Sequence, residues 1–401
     1  MRVVHLYDGH EKVYDGRGSV PSVVWNLARE TATQGHDVTV LERRWAGLPE
    51  RSVHEGVTFE RVRLRTGSDE PWEQVPYEMV ASPRGAVTLL LDRTNFALQA
   101  LGRLRTLEFD VLHVHLPFAG NVLATVAPWL ARRMVYTAHI GETGSRVIQP
   151  RFSPDAYLAR RVAETVVLNP ETRSAFEFRG VSPETLTVIP NGVDVERFRQ
   201  VDPAICEQVR TEYDLHGVRT VLFVGTVTPR KGVKELLEAA TQVLSDDRTD
   251  VRFVVVGKTD MEPAYMDEVR GVCEAAGIDD RTVFTGFVPE EQIPAFYAIG
   301  DIFVLPSFEE GSSIAVTEAI ASHTPVVGTA IDGIVQQIDD GVHGRLVEPG
   351  DVDALAAALA ALLDDAEERT AISRALEARA DELSWPRVTE RIVEVYEEVQ
   401  A

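Results

Sequence analysis

Two glutamates, Glu310 and Glu318, stand out within the stretch "PSFEEGSSIAVTEAIASHTPVVGT". Glu310 precedes a Gly/Ser-rich turn and Glu318 lies among helix formers, so we expect Ser312 or Ser313 to cap a helix that starts between them. Free N–H groups at such a helix end favour a phosphate, whereas carboxylates suit the hydroxyl pairs of a sugar. The spacing therefore predicts a nucleotide-sugar site, with ribose on one glutamate and the transferred sugar near the other. Taken alone, the pair is also explained by two solvated side chains.

A candidate cation for the same ligand lies in "FVGTVTPRKGVKELLEA". Lys231 is predicted at the start of a helix that follows the first strand of the second half of the chain. Doubly wound folds bind ligands at the carboxyl ends of their strands, so Lys231 could neutralise the diphosphate of a leaving group, and Arg230 is a neighbouring candidate. Only 4 of the 40 basic residues are lysines, although a solvated surface lysine remains the simpler alternative.

The first half of the chain contributes weaker candidates. Gly16 and Gly18 lie between a strand and a helix in "YDGRGSVPSVVWNLARE", where a backbone without side chains can approach a phosphate. His139 ends the strand "VYTAH" and could donate to a substrate hydroxyl or phosphate, if it is not simply a packed histidine. We interpret His113 and His115 as pointing to opposite faces of one strand, and we predict no metal site.

Continuous apolar runs alternate with helical patterns along the chain, and the alternation restarts near residue 190. Strands are predicted at 2–7, 37–42, 111–116, 133–139, 165–169, 220–226, 251–257, 282–288, 302–307 and 324–329. Helices are predicted at 19–35, 83–107, 231–244, 264–277, 293–300, 312–322 and 385–400. Such alternation indicates parallel sheets covered on both faces. We therefore predict two doubly wound domains, residues 1–188 and 189–384, joined near the turn in "VIPNGVDVERF".

Composition narrows the class of protein further. A chain of 401 residues suits two domains, and two cysteines favour a reducing, cytoplasmic compartment. The net charge of -23 argues against binding to nucleic acid. The N-terminus lacks signal-peptide features, and no apolar run reaches about 18 residues, so no membrane span is expected. An acidic, lysine-poor chain resembles proteins from halophiles.

The charge is unevenly distributed between the two halves. Residues 1–195 carry 22 basic and 23 acidic side chains, whereas residues 196–401 carry 18 and 40. The predicted helix 83–107 is rich in leucine and has four arginines against one aspartate: Arg84, Arg93, Arg103, Arg105 and Asp92. A basic amphipathic helix can lie on an anionic membrane surface. The alternative is a helix that packs its leucines on the first sheet and leaves its arginines solvated.

In order and spacing, these pieces resemble the retaining glycosyltransferases of family 4. The resemblance covers almost the whole chain, from "GHDVTVLE", "DVLHVHLP" and "VYTAH" through "FVGTVTPRKGV" to "FTGFVPEEQIPAFYAIGDIFVLPSFEEGSSIAVTEAIASHTPVVGT" and "LSWPRVTERIVEVYEEV". It implies the GT-B fold, in which two Rossmann-like parallel-sheet domains face a central cleft. It also implies that helix 385–401 returns to the first domain, which binds the acceptor, and that the second domain binds the nucleotide-sugar.

The resemblance also implies a role for each candidate residue. It assigns the ribose to Glu318, the transferred sugar to Glu310 and His139, the diphosphate to Lys231, Gly16 and Gly18, and the base to the backbone at Val288. The chain departs from the family pattern at Thr226, where an arginine is usual, and Arg230 is the candidate to supply that charge. It departs again at Ser312 and Ser313, which could contact the sugar.

The implied activity is retaining transfer of a hexose-type sugar from a nucleotide-diphosphate sugar to an acceptor hydroxyl. It belongs to glycan, glycolipid or glycoconjugate biosynthesis and needs no cofactor or metal. The acceptor is unidentified; a lipid-linked or anionic acceptor at the inner membrane face is one expectation. Three alternatives stay open: a GT-B enzyme that acts on a nucleotide-sugar without transfer, such as an epimerase, a catalytically silent nucleotide-sugar-binding protein, and a nicotinamide-dependent dehydrogenase. The dehydrogenase would use Glu42 for the ribose, but its first loop lacks a third glycine in register.

Overall fold

The chain folds into two compact α/β units, described here from a computed structural model. The structure describes residues 1–14, 18–64, 82–140, 153–244 and 248–401. The first unit comprises Met1–Asn191 and Trp385–Ala401, and the second comprises Gly192–Ser384. Within the described ranges, no helix is both long and apolar enough to cross a bilayer.

The first unit is built on a sheet of eight strands. These are β1 (Arg2–Tyr7), β2 (Asp37–Arg43), β3 (Arg51–His54), β4 (Val57–Val62), β5 (Val111–Val114), β6 (Met134–Ala138), β7 (Glu164–Val167) and β8 (Leu186–Val188). Their order is β3-β4-β2-β1-β5-β6-β7-β8, and every neighbouring pair is parallel except β3 with β4. The helices of this unit are α1 (Ser19–Thr33), α2 (Pro83–Leu104), α3 (Pro117–Val126), α4 (Pro128–Ala131), α5 (Pro154–Ala159) and α6 (Pro170–Phe178). The strand order reverses between β1 and β5, and this reversal defines the switch point of the first sheet.

The hairpin of β3 and β4 departs from the predicted, wholly parallel pattern. Its turn is formed by Glu55 and Gly56, both with positive φ, and β3 alternates between exposed and partly buried residues at the edge of the sheet. The segment "RSVHEGVTFERV" lacks the continuous apolar run of a strand buried on both faces. A search for such runs therefore misses it.

The second unit is built on a sheet of six strands, all parallel. These are β9 (Arg219–Val224), β10 (Val251–Val256), β11 (Thr282–Gly286), β12 (Ile302–Leu305), β13 (Val326–Thr329) and β14 (Gly344–Val347), in the order β11-β10-β9-β12-β13-β14. The helices are α7 (Val195–Arg199), α8 (Pro203–Glu212), α9 (Val233–Leu244), α10 (Pro263–Ala276), α11 (Ile293–Ile299), α12 (Ile314–Ala321), α13 (Asp332–Val335), α14 (Val352–Asp364) and α15 (Ala366–Glu382). The order reverses between β9 and β12, which places a ligand-binding switch point there.

The last helix of the chain, α16 (Trp385–Gln400), belongs to the first unit. Its apolar face, which includes Trp385, Ile392 and Tyr396, is buried in one cluster with Val3 of β1 and Val111 of β5. The helix therefore covers one face of the first sheet, and we attribute this position to the burial of that apolar face.

Helix α2 does not present the basic face that the sequence suggested. Arg93 is buried, and its guanidinium lies 3.2 Å from the carboxylate of Asp92 and 3.8 Å from that of Asp8. Arg103 contacts both carboxylate oxygens of Glu60, the closer at 2.8 Å. The predicted surface of four arginines is therefore wrong, because buried or partly buried carboxylates hold two of them.

Candidate functional site

The loops that follow β9 and β12 meet at the switch point of the second sheet. Gly232 has a positive φ of 66°, and a Cβ at this position would lie only 2.1 Å from the carbonyl oxygen of Pro306. This close approach requires glycine and holds Lys231 beside the loop after β12. Lys231 was predicted at the start of a helix; it lies instead in a short 3-10 turn, and α9 begins at Val233.

A charged cluster forms where these two loops meet. The ammonium of Lys231 donates to Oε1 of Glu310 at 2.5 Å, and the hydroxyl of Ser307 donates to the same oxygen at 2.9 Å. The guanidinium of Arg230 lies 3.5 Å from that oxygen and donates to the carbonyl of Glu309. Two cations therefore share one buried carboxylate. The cluster of Arg230, Lys231 and Glu310 keeps one net positive charge that can attract an anionic ligand.

Helix α12 begins next to this cluster, as the Gly/Ser-rich turn predicts. Ser313 is the N-cap residue, and its hydroxyl accepts a hydrogen bond from the backbone N–H of Val316. Ser312 is held by the side chain of Gln337, whose amide nitrogen donates to the Ser312 hydroxyl at 3.3 Å and to the Ser313 carbonyl at 3.0 Å. The cap satisfies one of the free N–H groups at this helix end.

Glu318 lies inside α12 and is partly buried. Burial raises its pKa to about 7, although the hydroxyl of Tyr297 and the positive charge of Arg197 act in the opposite direction. The Tyr297 hydroxyl lies 3.0 Å from Oε2 of Glu318 and 3.1 Å from the carbonyl oxygen of Ala315. That hydroxyl has one proton for two acceptors. An ionised Glu318 accepts from this hydroxyl, whereas a protonated Glu318 can donate to Tyr297, which then donates to Ala315.

The residue expected to hold the base through its backbone, Val288, is buried in the loop after β11. Its neighbour Phe287 is 68% exposed, and the ammonium of Lys258 lies 5.8 Å from the centre of the Phe287 ring. An exposed aromatic ring beside a cation can stack against a planar ligand.

In the first unit, Gly18 is the N-cap residue of α1, and no side chain caps this helix end. A Cβ at Gly18 would lie 2.1 Å from Oε2 of Glu11. A phosphate that approached this helix end would therefore meet a carboxylate, and Glu11 would have to move aside. The other predicted glycine of this loop, Gly16, lies outside the described residues.

His139 follows β6 and is partly buried. Burial lowers its pKa to about 4, so the ring is neutral at physiological pH. Its Nε2 lies 3.1 Å from Nδ1 of His115. A neutral imidazole can donate or accept a hydrogen bond, but it carries no charge with which to neutralise a phosphate.

The interpretation of His113 and His115 as pointing to opposite faces is wrong. Their rings stack with centroids 4.2 Å apart, because side chains two residues apart point to the same face of a strand. His5 of β1 joins them, and one nitrogen from each ring lies within 4.8 Å of the others. Nδ1 of His5 lies 2.9 Å from Nε2 of His115, and Tyr396 and Thr137 contact both nitrogens of His113. This geometry fits a hydrogen-bonded cluster better than a metal site.

Glu42, the residue on which the dehydrogenase alternative depends, is fully buried in an internal contact. Its carboxylate accepts from the guanidinium of Arg61 at 2.8 Å and from the backbone N–H of Val13 at 3.0 Å. A carboxylate held in this way does not present itself to a ribose, which argues against that alternative.

Two polar partners, Ser307 and Tyr297, escaped the sequence analysis, and a third, His115, was considered there only as a metal ligand. Tyr297 and His115 contact predicted site residues on other elements, whereas Ser307 contacts Glu310 within the loop after β12. The position of Ser307 at the end of a predicted strand was a usable signal. Tyr297 and His115 lie within apolar patterns and gave none.

Comparison with known families decides the class of the enzyme. The family model described as Glycosyl transferases group 1 matches residues 208–379, and the model described as Glycosyltransferase Family 4 matches residues 20–197. The chain belongs to glycosyltransferase family 4. The predicted resemblance, fold and enzyme class are thereby confirmed.

Curated relatives match most or nearly all of the chain. A D-inositol 3-phosphate glycosyltransferase from Corynebacterium aurimucosum is 27% identical over 94% of this chain and 90% of its own length. A 2-deoxystreptamine glucosyltransferase from Streptomyces kanamyceticus is 29% identical over 64% of this chain and 68% of its own. Both relatives are sugar transferases by name, but the two names indicate different acceptors.

Solved structures support the GT-B fold. A sucrose-phosphate synthase from Thermosynechococcus elongatus has a TM-score of 0.78 at 19% identity, over 100% of this chain and 99% of its own. HepE from Anabaena in complex with UDP-glucose has a TM-score of 0.71 at 18% identity, over 99% of this chain and 100% of its own.

Proposed function

We propose that the enzyme transfers a hexose-type sugar, with retention of configuration, from a nucleotide-diphosphate sugar to an acceptor hydroxyl in the synthesis of a glycan, glycolipid or glycoconjugate. The observation that carries the proposal is the cluster of Arg230, Lys231 and Glu310 at the switch point of the second sheet. It combines cations suited to a diphosphate with a carboxylate suited to sugar hydroxyls. Glu318 offers a second carboxylate on the adjacent helix.

Lys231 and Arg230 are proposed to stabilise the leaving diphosphate. Negative charge grows on that group as the glycosidic bond breaks, so fixed cations lower the barrier of the step. The residual positive charge of the cluster supplies this effect without a metal ion. A chelator such as EDTA should therefore leave turnover unchanged, and loss of activity that Mg²⁺ or Mn²⁺ restores would contradict this part of the proposal.

Retention is proposed to follow from attack of the acceptor on the face that the diphosphate leaves, with the departing phosphate accepting the proton. Under this scheme Glu310 holds Lys231 and the sugar in place and forms no bond to the sugar. Glu310→Gln should lose turnover, and the wild-type enzyme, which keeps the carboxylate, should never accumulate a glycosyl-enzyme. Mass spectrometry of the protein after rapid mixing with donor tests this, and a covalent adduct of hexose mass would refute the scheme.

Glu318 is proposed to bind the ribose of the donor. With a pKa of about 7, Glu318 is mostly ionised at pH 8. Hydrogen bonds from the ribose hydroxyls to that carboxylate are worth about 1.5–3 kcal/mol each, so Glu318→Ala should weaken nucleotide binding at pH 8 by about 10- to 150-fold. A thermal-shift screen of UDP, GDP and ADP first selects the base, with UDP expected because HepE was solved with UDP-glucose. Calorimetry then compares wild type, Glu318→Ala and the exposed control Glu274→Ala. Equal affinity in all three would remove Glu318 from this role.

For the acceptor, we propose a lipid-linked or otherwise anionic molecule at a membrane surface. Helix α2 exposes an apolar stripe on one side: Val87, Leu90, Leu91 and Leu98, each more than half exposed. Two charged residues of this helix are exposed: Arg84 in its first turn and Arg105, its C-cap residue. Both are basic. Apolar side chains flanked by cations suit an anionic lipid surface. A second copy of the helix fits less well, since an antiparallel pair would bring Arg84 close to the partner's Arg105.

Flotation with vesicles of anionic lipid tests this proposal. The wild type should float with the vesicles at moderate salt and less at high salt. The test variant carries Leu90→Gln, Leu91→Gln, Arg84→Gln and Arg105→Gln, and should stay at the bottom. Arg93 and Arg103 are left intact because both are bound within the fold. Val53→Gln, which replaces another exposed apolar residue of the same unit, is the control. A wild type that never floats would contradict this proposal.

A further inference from the structure

Three histidines of the first unit form one hydrogen-bonded chain. Nδ1 of His5 lies 2.9 Å from Nε2 of His115, and Nδ1 of His115 lies 3.1 Å from Nε2 of His139. His5 and His115 are fully buried, and His139 is partly exposed at the end of the chain. The chain therefore begins inside the core and ends at the residue predicted to contact the sugar.

Each ring in this chain carries one proton. Burial lowers the pKa of His5 to about 3 and that of His139 to about 4, and it lowers the pKa of His115 well below its ordinary value. A neutral imidazole has one N–H and one bare nitrogen. Each contact between two rings needs one donor and one acceptor, so all three tautomers are coupled and only two directions are possible.

The inner end of the chain distinguishes the two directions. Nε2 of His5 is buried and has no hydrogen-bond partner. If the protons point inward, this atom becomes a buried N–H without an acceptor, a group that folded proteins rarely tolerate. If they point outward, the same atom is a bare lone pair, which is less costly because under-satisfied acceptors are the more common exception. The outward direction is therefore favoured.

We infer that His115 is a positioning residue that fixes His139 as the tautomer with its proton on Nδ1. In the outward direction His5 donates to His115, His115 donates to Nε2 of His139, and the remaining N–H of His139 is directed away from the chain. His139 then presents a permanent hydrogen-bond donor to a substrate hydroxyl and does not act as a proton acid. This role in substrate binding rests on the proposed function; the tautomer itself does not.

The tautomer can be read by ¹⁵N NMR of the imidazole nitrogens in the full chain without ligand. The His139 signals are assigned by their loss in His139→Gln. In the wild type at neutral pH, Nδ1 should show the shift of a protonated nitrogen and Nε2 that of a bare one. A wild-type His139 protonated on Nε2, or on both nitrogens, overturns the inference. The assignment requires only that His139→Gln folds, and this variant replaces a partly exposed residue.

Two substitutions of His115 sharpen the test. His115→Phe removes the donor to His139, so the signals should move toward a mixture of tautomers and turnover should fall about tenfold with nucleotide affinity unchanged. His115→Gln should restore the wild-type signals and turnover, because an amide can accept from His5 and donate to His139. Wild-type tautomer signals in His115→Phe overturn the inference. Normal turnover in His139→Ala would contradict the proposed contact between His139 and the sugar. It would not affect the assignment of the tautomer.

Discussion

Glu318 is the only charged residue of α12, and its carboxyl is expected to make the stability of the enzyme depend on pH. Burial raises its pKa from an ordinary value of 4.5 to about 7, against the opposing effects of Tyr297 and Arg197. Between these two values the folded protein keeps a proton that the unfolded chain has lost. The free energy of unfolding therefore falls as the pH rises through this window, and the full penalty is present above about pH 7.

The size of the effect follows from the shift. A difference of about 2.5 between the folded and unfolded pKa corresponds to about 3 kcal/mol, and screening at a partly exposed carboxyl reduces this to about 1–3 kcal/mol. Glutamine has the same shape, can still accept from the Tyr297 hydroxyl and never ionises. Relative to wild type, Glu318→Gln should therefore gain about 1–3 kcal/mol in stability between about pH 5 and pH 8.5.

Urea unfolding followed by far-ultraviolet circular dichroism measures the difference at each pH. Tryptophan fluorescence is unsuitable because every tryptophan among the described residues belongs to the first unit. Glu274→Gln, an exposed position on α10, is the matched control and should track the wild type. Taking the difference between variant and wild type at the same pH cancels every other titrating group. A difference that stays constant across the range would refute the assignment of a protonated Glu318.

Three further substitutions test the charged cluster and the glycine beside it, and a fourth tests the core of the first unit. Lys231→Ala should lower turnover at least tenfold, measured with saturating donor; a larger loss in Arg230→Ala would transfer the role to Arg230. Gly232→Ala should lower the free energy of unfolding by about 2–4 kcal/mol, because Gly232 has a positive φ and approaches Pro306 closely. An unchanged urea midpoint would contradict the close approach. Arg61→Met should lower the free energy of unfolding by urea by about 3–5 kcal/mol, because it leaves the buried carboxylate of Glu42 without its partner. An unchanged free energy of unfolding would show that this ion pair is dispensable.

Local patterns were sufficient for the general architecture and for much of the site. Continuous apolar runs predicted the strands at the centre of both sheets, because a strand buried on both faces excludes polar residues wherever it lies in the sequence. The Gly/Ser-rich turn located the start of α12 within two residues, since Ser313 caps the helix through its own backbone neighbours. The edge hairpin was missed because its half-exposed alternation lacks such a run.

The tertiary structure decided which side chains meet and in which state of protonation. Lys231 and Glu310 are 79 residues apart, and their contact exists only because β9 and β12 are neighbours at the switch point. The histidine chain likewise depends on β1, β5 and β6 lying side by side, and strand order is not encoded in any local pattern. Burial then sets the pKa of each group, because the cost of a charge depends on the solvent that the whole fold removes. Types and spacing of residues were thus readable from the sequence, whereas partners, tautomers and pKa values arose from the packing of distant segments.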